Sequence, residues 1–334
     1  MTLPILFIRL LIQLLIRPSI RLFIRLSIRL FIRLFIRLIL LLMGTMSCEL
    51  LAEDGILETC GKIQCNGLLE SSGFAKSRSY EGVYWTHGDS PGQFSLRPGP
   101  KKKGFPNRLY AFRADGTCAC QTETENTNAQ ARAGIDLGIR NRDWEDITID
   151  PEGNIYLGDF GNNGNQRKNL CVYVFPEPDP RLAKLPAPPR KLDFRYPDQK
   201  TFPAKEWRFD CEAMIFHAGF LYLATKQTDF HSTLYRLDPK KTEPQLAEKL
   251  GVIKRVGMVT AADISPSGKQ LALLSVGRVH LYDMDLPIDV LSQTARPFSV
   301  TSTGLAEALV FESEDSLLIG NESGALFRLR IPSP

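Results

Sequence analysis

From about residue 56 onward, short apolar runs alternate with turns rich in Gly, Asp, Asn and Pro, and the alternation itself repeats. Aligned on their first runs, five stretches match: Ser72-Gly73-Phe74, Glu145-Asp146-Ile147, Glu212-Ala213-Met214, Ala262-Asp263-Ile264 and Glu307-Ala308-Leu309. A turn follows most of them, as at 151–154 and 266–268. A second apolar run then ends on a polar residue, in order His87, Asp159, Thr225, Ser275 and Asn321. A third keeps the same register at 109–112, 172–175, 234–237, 279–282 and 326–329. A weaker fourth run follows four of these, at 118–122, 191–196, 250–254 and 298–302. Each run has the length and composition of a strand, and no helical stretch of twelve residues intervenes.

The fifth unit reaches only its third strand, whereas residues 56–65 form a strand candidate that belongs to no unit. In a ring of four-stranded blades, that N-terminal strand completes the last blade and protects the sheet edges. The expected fold is therefore all-β: a five-bladed β-propeller over 56–334, with long loops at 91–107, 123–141 and 177–190. Six blades and an unclosed β-sandwich are the alternatives.

Residues 1–48 follow another pattern. Across 20–35 the chain repeats IleArgLeuPhe with one Ser for Phe. On a helix a step of four is about 400°, so the arginines spiral around the surface and leave no fixed apolar face. The window 22–40 holds four arginines, each costing about 2.5–3.5 kcal/mol near a bilayer centre. The window 30–48 places Arg33 and Arg37 before the apolar run 38–43, like the charged and hydrophobic regions of a signal peptide or anchor. Thr45-Met46-Ser47-Cys48 has the outline of a degenerate lipoprotein cleavage site. The expectation is a secreted or envelope protein (periplasmic or membrane-anchored), attached to the membrane, if at all, through this segment. The alternative is a spurious extension and a cytoplasmic protein starting at Met43 or Met46. Residues 49–55 read as a linker.

Charge sharpens the division. The 334 residues carry a net +4, yet seven arginines lie within residues 1–42, which hold no lysine or acid. Removing them leaves −3, a weakly acidic body that argues against nucleic-acid binding as its main task. There are seven cysteines, an odd number, and a lipidated Cys48 would leave six to pair in an oxidising compartment. Cys118 and Cys120 face the same way on a strand and are poorly placed to bond each other. No zinc spacing occurs, and the disulfide pairing stays open.

In a propeller the start of each first strand and the end of each second strand meet at one mouth of the channel. That geometry assembles an inner ring of Ser72, Glu145, Glu212, Ala262 and Glu307 and an outer ring of His87, Asp159, Thr225, Ser275 and Asn321. Glu70, Asp89, Asp143, Asp210 and Asp263 add acidity nearby. Converging glutamates require a cation, protons or hydrogen-bond donors. Oxygen ligands from Ser72, Glu145, Glu212, Glu307 and Asn321 are hard and suit Ca²⁺, or Mg²⁺, better than Zn²⁺. The competing reading has each acid accept backbone N–H bonds from the adjoining blade. His87 and Asp159 are candidates for handling a proton, set against an ordinary loop histidine and a turn at 159–163. Lys226 and Arg142 at the same rim read as anion attractors or as solvated charge. GxSxG, P-loop and HExxH motifs are absent from the sequence.

Glu70-Ser-Ser-Gly-Phe74, Val83-Tyr-Trp-Thr-His-Gly-Asp89, Arg142-Asp-Trp-Glu-Asp-Ile147 and Tyr156-Leu-Gly-Asp-Phe-Gly-Asn-Asn163 together resemble bacterial propellers of the SdiA-regulated and phytase-like esterase kind. The resemblance spans about 66–176, with GluSerSerGly and Glu-Asp-Ile where those proteins read GluProSerGly and Glu-Gly-Ile. It implies architecture far more than chemistry. A looser likeness to calcium-dependent apyrases implies that Ser72, Glu145 and Glu212 line a central calcium, with Ala262 where a further oxygen ligand is wanted. Two functions are expected from these features. One is a monomeric binding module taking a small-molecule or protein ligand at a calcium-bearing mouth. The other is a calcium-dependent hydrolase of phosphate or carboxylic esters, its ion polarising the substrate while His87 or Asp159 moves a proton.

Overall fold

The computed structural model describes residues 55–89, 107–120 and 133–332. The chain divides into two units, 1–51 and 52–334, and the described residues belong to the second. The arginine repeat, the signal-like segment, Cys48, nearly all of the linker and most of the 91–107 loop lie outside the described residues, as do 121–132 and 333–334.

Five antiparallel sheets form the propeller. Blade 1 comprises Ser71–Lys76, Val83–Gly88, Arg108–Arg113 and the two-residue Ile135–Asp136. Blade 2 comprises Trp144–Ile149, Asn154–Asp159, Cys171–Pro176 and Arg190–Arg195. Blade 3 comprises Asp210–His217, Phe220–Lys226, His231–Leu237 and Glu248–Lys254. Blade 4 comprises Val259–Ile264, Gln270–Ser275, Arg278–Asp283 and Arg296–Ser299. Blade 5 takes Ala306–Ser313, Ser316–Asn321 and Ala325–Arg330 from one end of the unit and Ile56–Lys62 from the other. The five first strands touch in cyclic order and so form the inner wall.

Closure follows the expected route. Ile56–Lys62 runs antiparallel to Ala325–Arg330, with Ile56 opposite Arg330 and Lys62 opposite Ala325. Glu312 then ties blade 5 to blade 1: its carboxylate pairs with Arg328 and accepts from Tyr84 Oη at 3.4 Å, and its backbone carbonyl accepts from Lys76 Nζ at 2.6 Å.

The inner strands of each sheet are covered on both faces and are mostly buried along their length rather than on alternate positions, whereas outer strands such as Arg190–Arg195 and Glu248–Lys254 are largely exposed. The period of two still operates, distributing residues between neighbours. Ile155 and Leu157 pack toward blade 1 while Tyr156 packs toward blade 3. Leu221 and Leu223 join the cluster shared with blade 2, and Tyr222 and Ala224 the one shared with blade 4. The core is therefore a series of inter-blade layers, with Trp85, Trp144, Tyr110 and Phe112 among its wholly buried members.

Three local features depart from the sequence reading. The fourth strand of blade 1 is Ile135–Asp136, not 118–122. Cys118 instead makes an isolated bridge to Phe112 and a disulfide to Cys65, while the Cys120 thiol accepts the Ala111 N–H at 2.9 Å; these bonds hold the segment against the third strand. The fourth strand of blade 4 is Arg296–Ser299 rather than 298–302, because the chain coils into a short 3₁₀ turn at Thr301–Thr303. Blade 2 gains a fifth strand, Gln245–Leu246, parallel to its edge.

Candidate metal centre

The ends of the second strands lie where the repeat predicts. His87, Asp159, Thr225, Ser275 and Asn321 stand opposite Ser72, Trp144, Cys211, Val259 and Ala306, one pair in each blade. Just beyond each pair the ladder slips by a bulge, a device that re-aims a side chain at a sheet rim. Glu212 and Glu307 occupy such bulges, and Glu145 lies in the slip between Trp144 and Ile147. In blade 4 the equivalent residue is Thr260, not Ala262, which pairs with Leu273 deeper in the strand. The Glu-Asp-Ile and Ala-Asp-Ile stretches align by composition, but the ladder places them two residues out of phase.

The hydroxyl members of the inner wall act as inter-blade fasteners. Ser72 Oγ donates to the Glu145 carbonyl at 2.6 Å, and Thr260 Oγ1 to the Ala306 carbonyl at 2.9 Å. Two aspartates do the same with their carboxylates. Asp146 accepts from Met214 N at 2.7 Å, and Asp263 from Phe311 N at 2.8 Å. Gly73 makes room for the first of these: its φ is +63°, and a Cβ there would sit 2.9 Å from Asp146. For Asp146 and Asp263, acceptance of backbone N–H groups from the next blade is thus the observed role.

Glu145, Glu212 and Glu307 do converge on the mouth, where they are 4%, 2% and 7% exposed. Asp89, Asp143 and Asp210 join them. Carboxylate oxygens of Asp89, Asp143 and Glu145 lie within 4.8 Å of one another, and so do those of Glu145, Asp210 and Glu212. Sequence reasoning marked the three aspartates only as neighbours. The signal that identifies two of them is a repeated Asp-x-Glu at the start of blades 2 and 3, Asp143-Trp-Glu145 and Asp210-Cys-Glu212.

Two asparagines fix these acids in place. Asn141 donates from Nδ2 to the carbonyls of Gly88, at 2.9 Å, and Asp89, holding the end of blade 1 against blade 2. Asn162 donates its N–H to Asp210 Oδ1 at 2.5 Å and its Nδ2 to the Phe209 carbonyl at 2.9 Å, joining blade 2 to blade 3. Between them, Gly161 donates its N–H to the Asp143 carbonyl at 3.1 Å. A Cβ on Gly161 would collide with Glu145 Oε1 and lie 2.7 Å from the Asp143 carboxylate, so glycine keeps this space open.

Positive charge is scarce here. Lys226 Nζ pairs with Glu212 at 2.9 Å, and Arg167 is committed to Asp159 at 2.6 Å. Burial, then repulsion from Glu212, Asp89, Asp143 and Asp210, holds the Glu145 carboxyl well above the usual range. Asp89 and Asp210 are raised in the same way, by burial first and neighbouring acids second. Burial lifts Asp143 to about 6 against the pull of Arg167. It lifts Glu307 to about 8 against the pull of Lys226. Burial opposes the charge of Lys226, but Glu212, Glu307, Asp210 and Glu145 outweigh it and raise its pKa. Buried oxygens Asp89 Oδ1 and Asp210 Oδ2 have no hydrogen-bond partner.

The remaining predicted residues have other surroundings. His87 is fully buried, edge-on to the Trp144 ring, with Nδ1 3.1 Å from the Gly88 carbonyl; burial lowers its pKa to about 4. Asp159 is buried against Arg167, and Asn162 caps the turn that follows it. Asn321 donates to the Thr303 carbonyl at 2.8 Å, while its Oδ1 accepts from Ser323 and Ala325. Ser72 Oγ is engaged as described. Five carboxylates, rather than the mixed set of Ser72, Glu145, Glu212, Glu307 and Asn321, form the close clusters among the described residues.

No protein-family model and no curated protein matches this sequence. Solved structures that share its outline include a gluconolactonase from Xanthomonas campestris, at 14% identity and TM-score 0.44, covering 84% of this chain and 91% of that one. Another is an aldose sugar dehydrogenase from Streptomyces coelicolor in its PQQ-bound form, at 13% identity and TM-score 0.41, covering 83% and 98%. The propeller assignment rests on the sheet topology above, and these likenesses carry no argument about chemistry.

Proposed function

We propose that this protein is an exported β-propeller that binds a hard divalent cation, Ca²⁺ foremost, at its acidic mouth and presents that mouth to a small-molecule or protein ligand. The observation that carries the reading is the convergence of Asp89, Asp143, Glu145, Asp210 and Glu212 with only Lys226 paired among them. Buried carboxylates that approach so closely stay ionised only with a counter-charge, and an all-oxygen set is the ligand chemistry of Ca²⁺ rather than of Zn²⁺. Export is supported by the Cys65–Cys118 disulfide and by the signal-like stretch ahead of the propeller. The sequence resemblance to SdiA-regulated and phytase-like propellers belongs to the same proposal. His87 is buried and Asp159 is paired with Arg167, so neither supports the hydrolytic alternative, and binding is the function the geometry favours.

The test is thermal unfolding of the full chain in EDTA and then in Ca²⁺, Mg²⁺ or Zn²⁺. At one hundred times its Kd, a cation bound only by the folded state adds about 2.7 kcal/mol. For a domain of this size that raises Tm by roughly 5–10 °C. An unchanged Tm with every ion would overturn the reading.

A further inference from the structure

We propose that the mouth holds two divalent cations, one on each side of Glu145, and that this carboxylate is shared between them. This inference rests on the cation-binding reading and adds number and position to it.

A Ca²⁺ ion takes its oxygens at about 2.3–2.6 Å, so two oxygens on one ion are at most about 5 Å apart. The five carboxylates do not make one set at that spacing. They make two, Asp89–Asp143–Glu145 between blades 1 and 2 and Glu145–Asp210–Glu212 between blades 2 and 3, each within 4.8 Å. Glu145 is the member common to both.

Each set contains one buried carboxylate oxygen with no partner in the protein: Asp89 Oδ1 in the first, Asp210 Oδ2 in the second. Asp210 is wholly buried, and its other oxygen already accepts the Asn162 N–H. Leaving a buried acceptor unmatched is costly, so an atom in this position needs an explanation such as an ion. One ion would satisfy one set and leave the other uncompensated.

Gly161 lies against the Asp143 and Glu145 carboxylates, where any side chain would collide with Glu145 Oε1. Lys226 bonds Glu212 on the other flank, whereas Arg167, which pulls on Asp143, is itself paired with Asp159, so only the second set has a cation bonded directly to one of its members. The first set has Asn141 and Gly161 around it, which position its members without neutralising them.

Calorimetric titration of the metal-stripped full chain with Ca²⁺ counts the sites, and circular dichroism of each variant verifies folding. Two ions per chain are expected for the wild type, one for Asp89→Asn, one for Asp210→Asn and none for Glu145→Gln. Mn²⁺ loading of the wild type needs no variant: at two equivalents its paramagnetic resonance spectrum is expected to show a spin-coupled pair. A single Ca²⁺ per wild-type chain, with an uncoupled Mn²⁺ spectrum, overturns the two-ion proposal and leaves the cation reading intact. No binding of either ion overturns both.

Discussion

At the scale of single residues, the mouth is governed by the competition between burial and charge. Burial holds the Glu307 carboxyl at about 8 and the Asp263 carboxyl at about 7, so in the folded protein both carry protons at pH values where the unfolded chain has lost them. The unfolded state then binds fewer protons, and stability must fall as pH rises through these values. The buried His87 and His280 act in the opposite sense: each is lowered to about 4, so its contribution is present above pH 6.5 and lost as pH falls toward 4. Between pH 6.5 and 8 the histidines are largely neutral in both states, and the carboxyls decide the sign. Unfolding followed in EDTA is therefore expected to show a loss on the order of 2 kcal/mol across that window. Saturating Ca²⁺ should reduce the part of the loss that comes from Glu307, because a cation beside the neighbouring Glu212 draws its pKa down, and leave the part from Asp263, which accepts the Phe311 N–H; an equal slope with and without Ca²⁺ would count against a cation there.

At the scale of elements, the blades are joined by side chains that reach across the sheet boundaries. Glu177, just past the third strand of blade 2, accepts from Trp85 Nε1 at 2.7 Å, Ser77 Oγ at 2.5 Å and Ser79 N at 2.9 Å, all in blade 1. Replacing it with alanine strands a wholly buried indole N–H, a loss of about 1–3 kcal/mol, whereas Glu177→Gln retains an acceptor and should lose less. Urea unfolding of the two variants checks that order. Contacts of this kind explain how far the sequence could be read. Strand order, blade number and the closing strand were legible because the second and third strands are apolar runs and the pattern recurs five times. The members of the mouth were legible only in part. The bulge in each first strand leaves no mark in composition, and matching Glu-Asp-Ile to Ala-Asp-Ile, which lie two residues out of phase in the ladder, puts Ala262 where Thr260 belongs. Asp143 and Asp210 were legible as acids beside the mouth but not as members of the clusters, because they lie outside the bulges that carry the glutamates, and Gly161 was not legible because an empty space has no sequence signature beyond a glycine.

At the scale of the molecule, strand pairing closes the ring, and one disulfide among the described residues adds a covalent link near that closure. Cys65 follows the closing strand and Cys118 lies in blade 1, separated by 53 residues. A loop of that length gives a chain-entropy contribution of about 4 kcal/mol in the simplest account. The Cys65→Ser, Cys118→Ser double variant is expected to melt roughly 8–16 °C below the wild type. Equal melting temperatures would show that strand pairing alone fixes the closure. The pairing of Ile56–Lys62 with Ala325–Arg330 also sets a schedule. The strand made first must wait for the one made last, on the order of tens of seconds at a synthesis rate of about 5–20 residues per second. Throughout that interval blade 5 is unfinished and its edge is open. A ring built this way cannot lock before Arg330 has been made, so its closure is the last event in the assembly of the five blades.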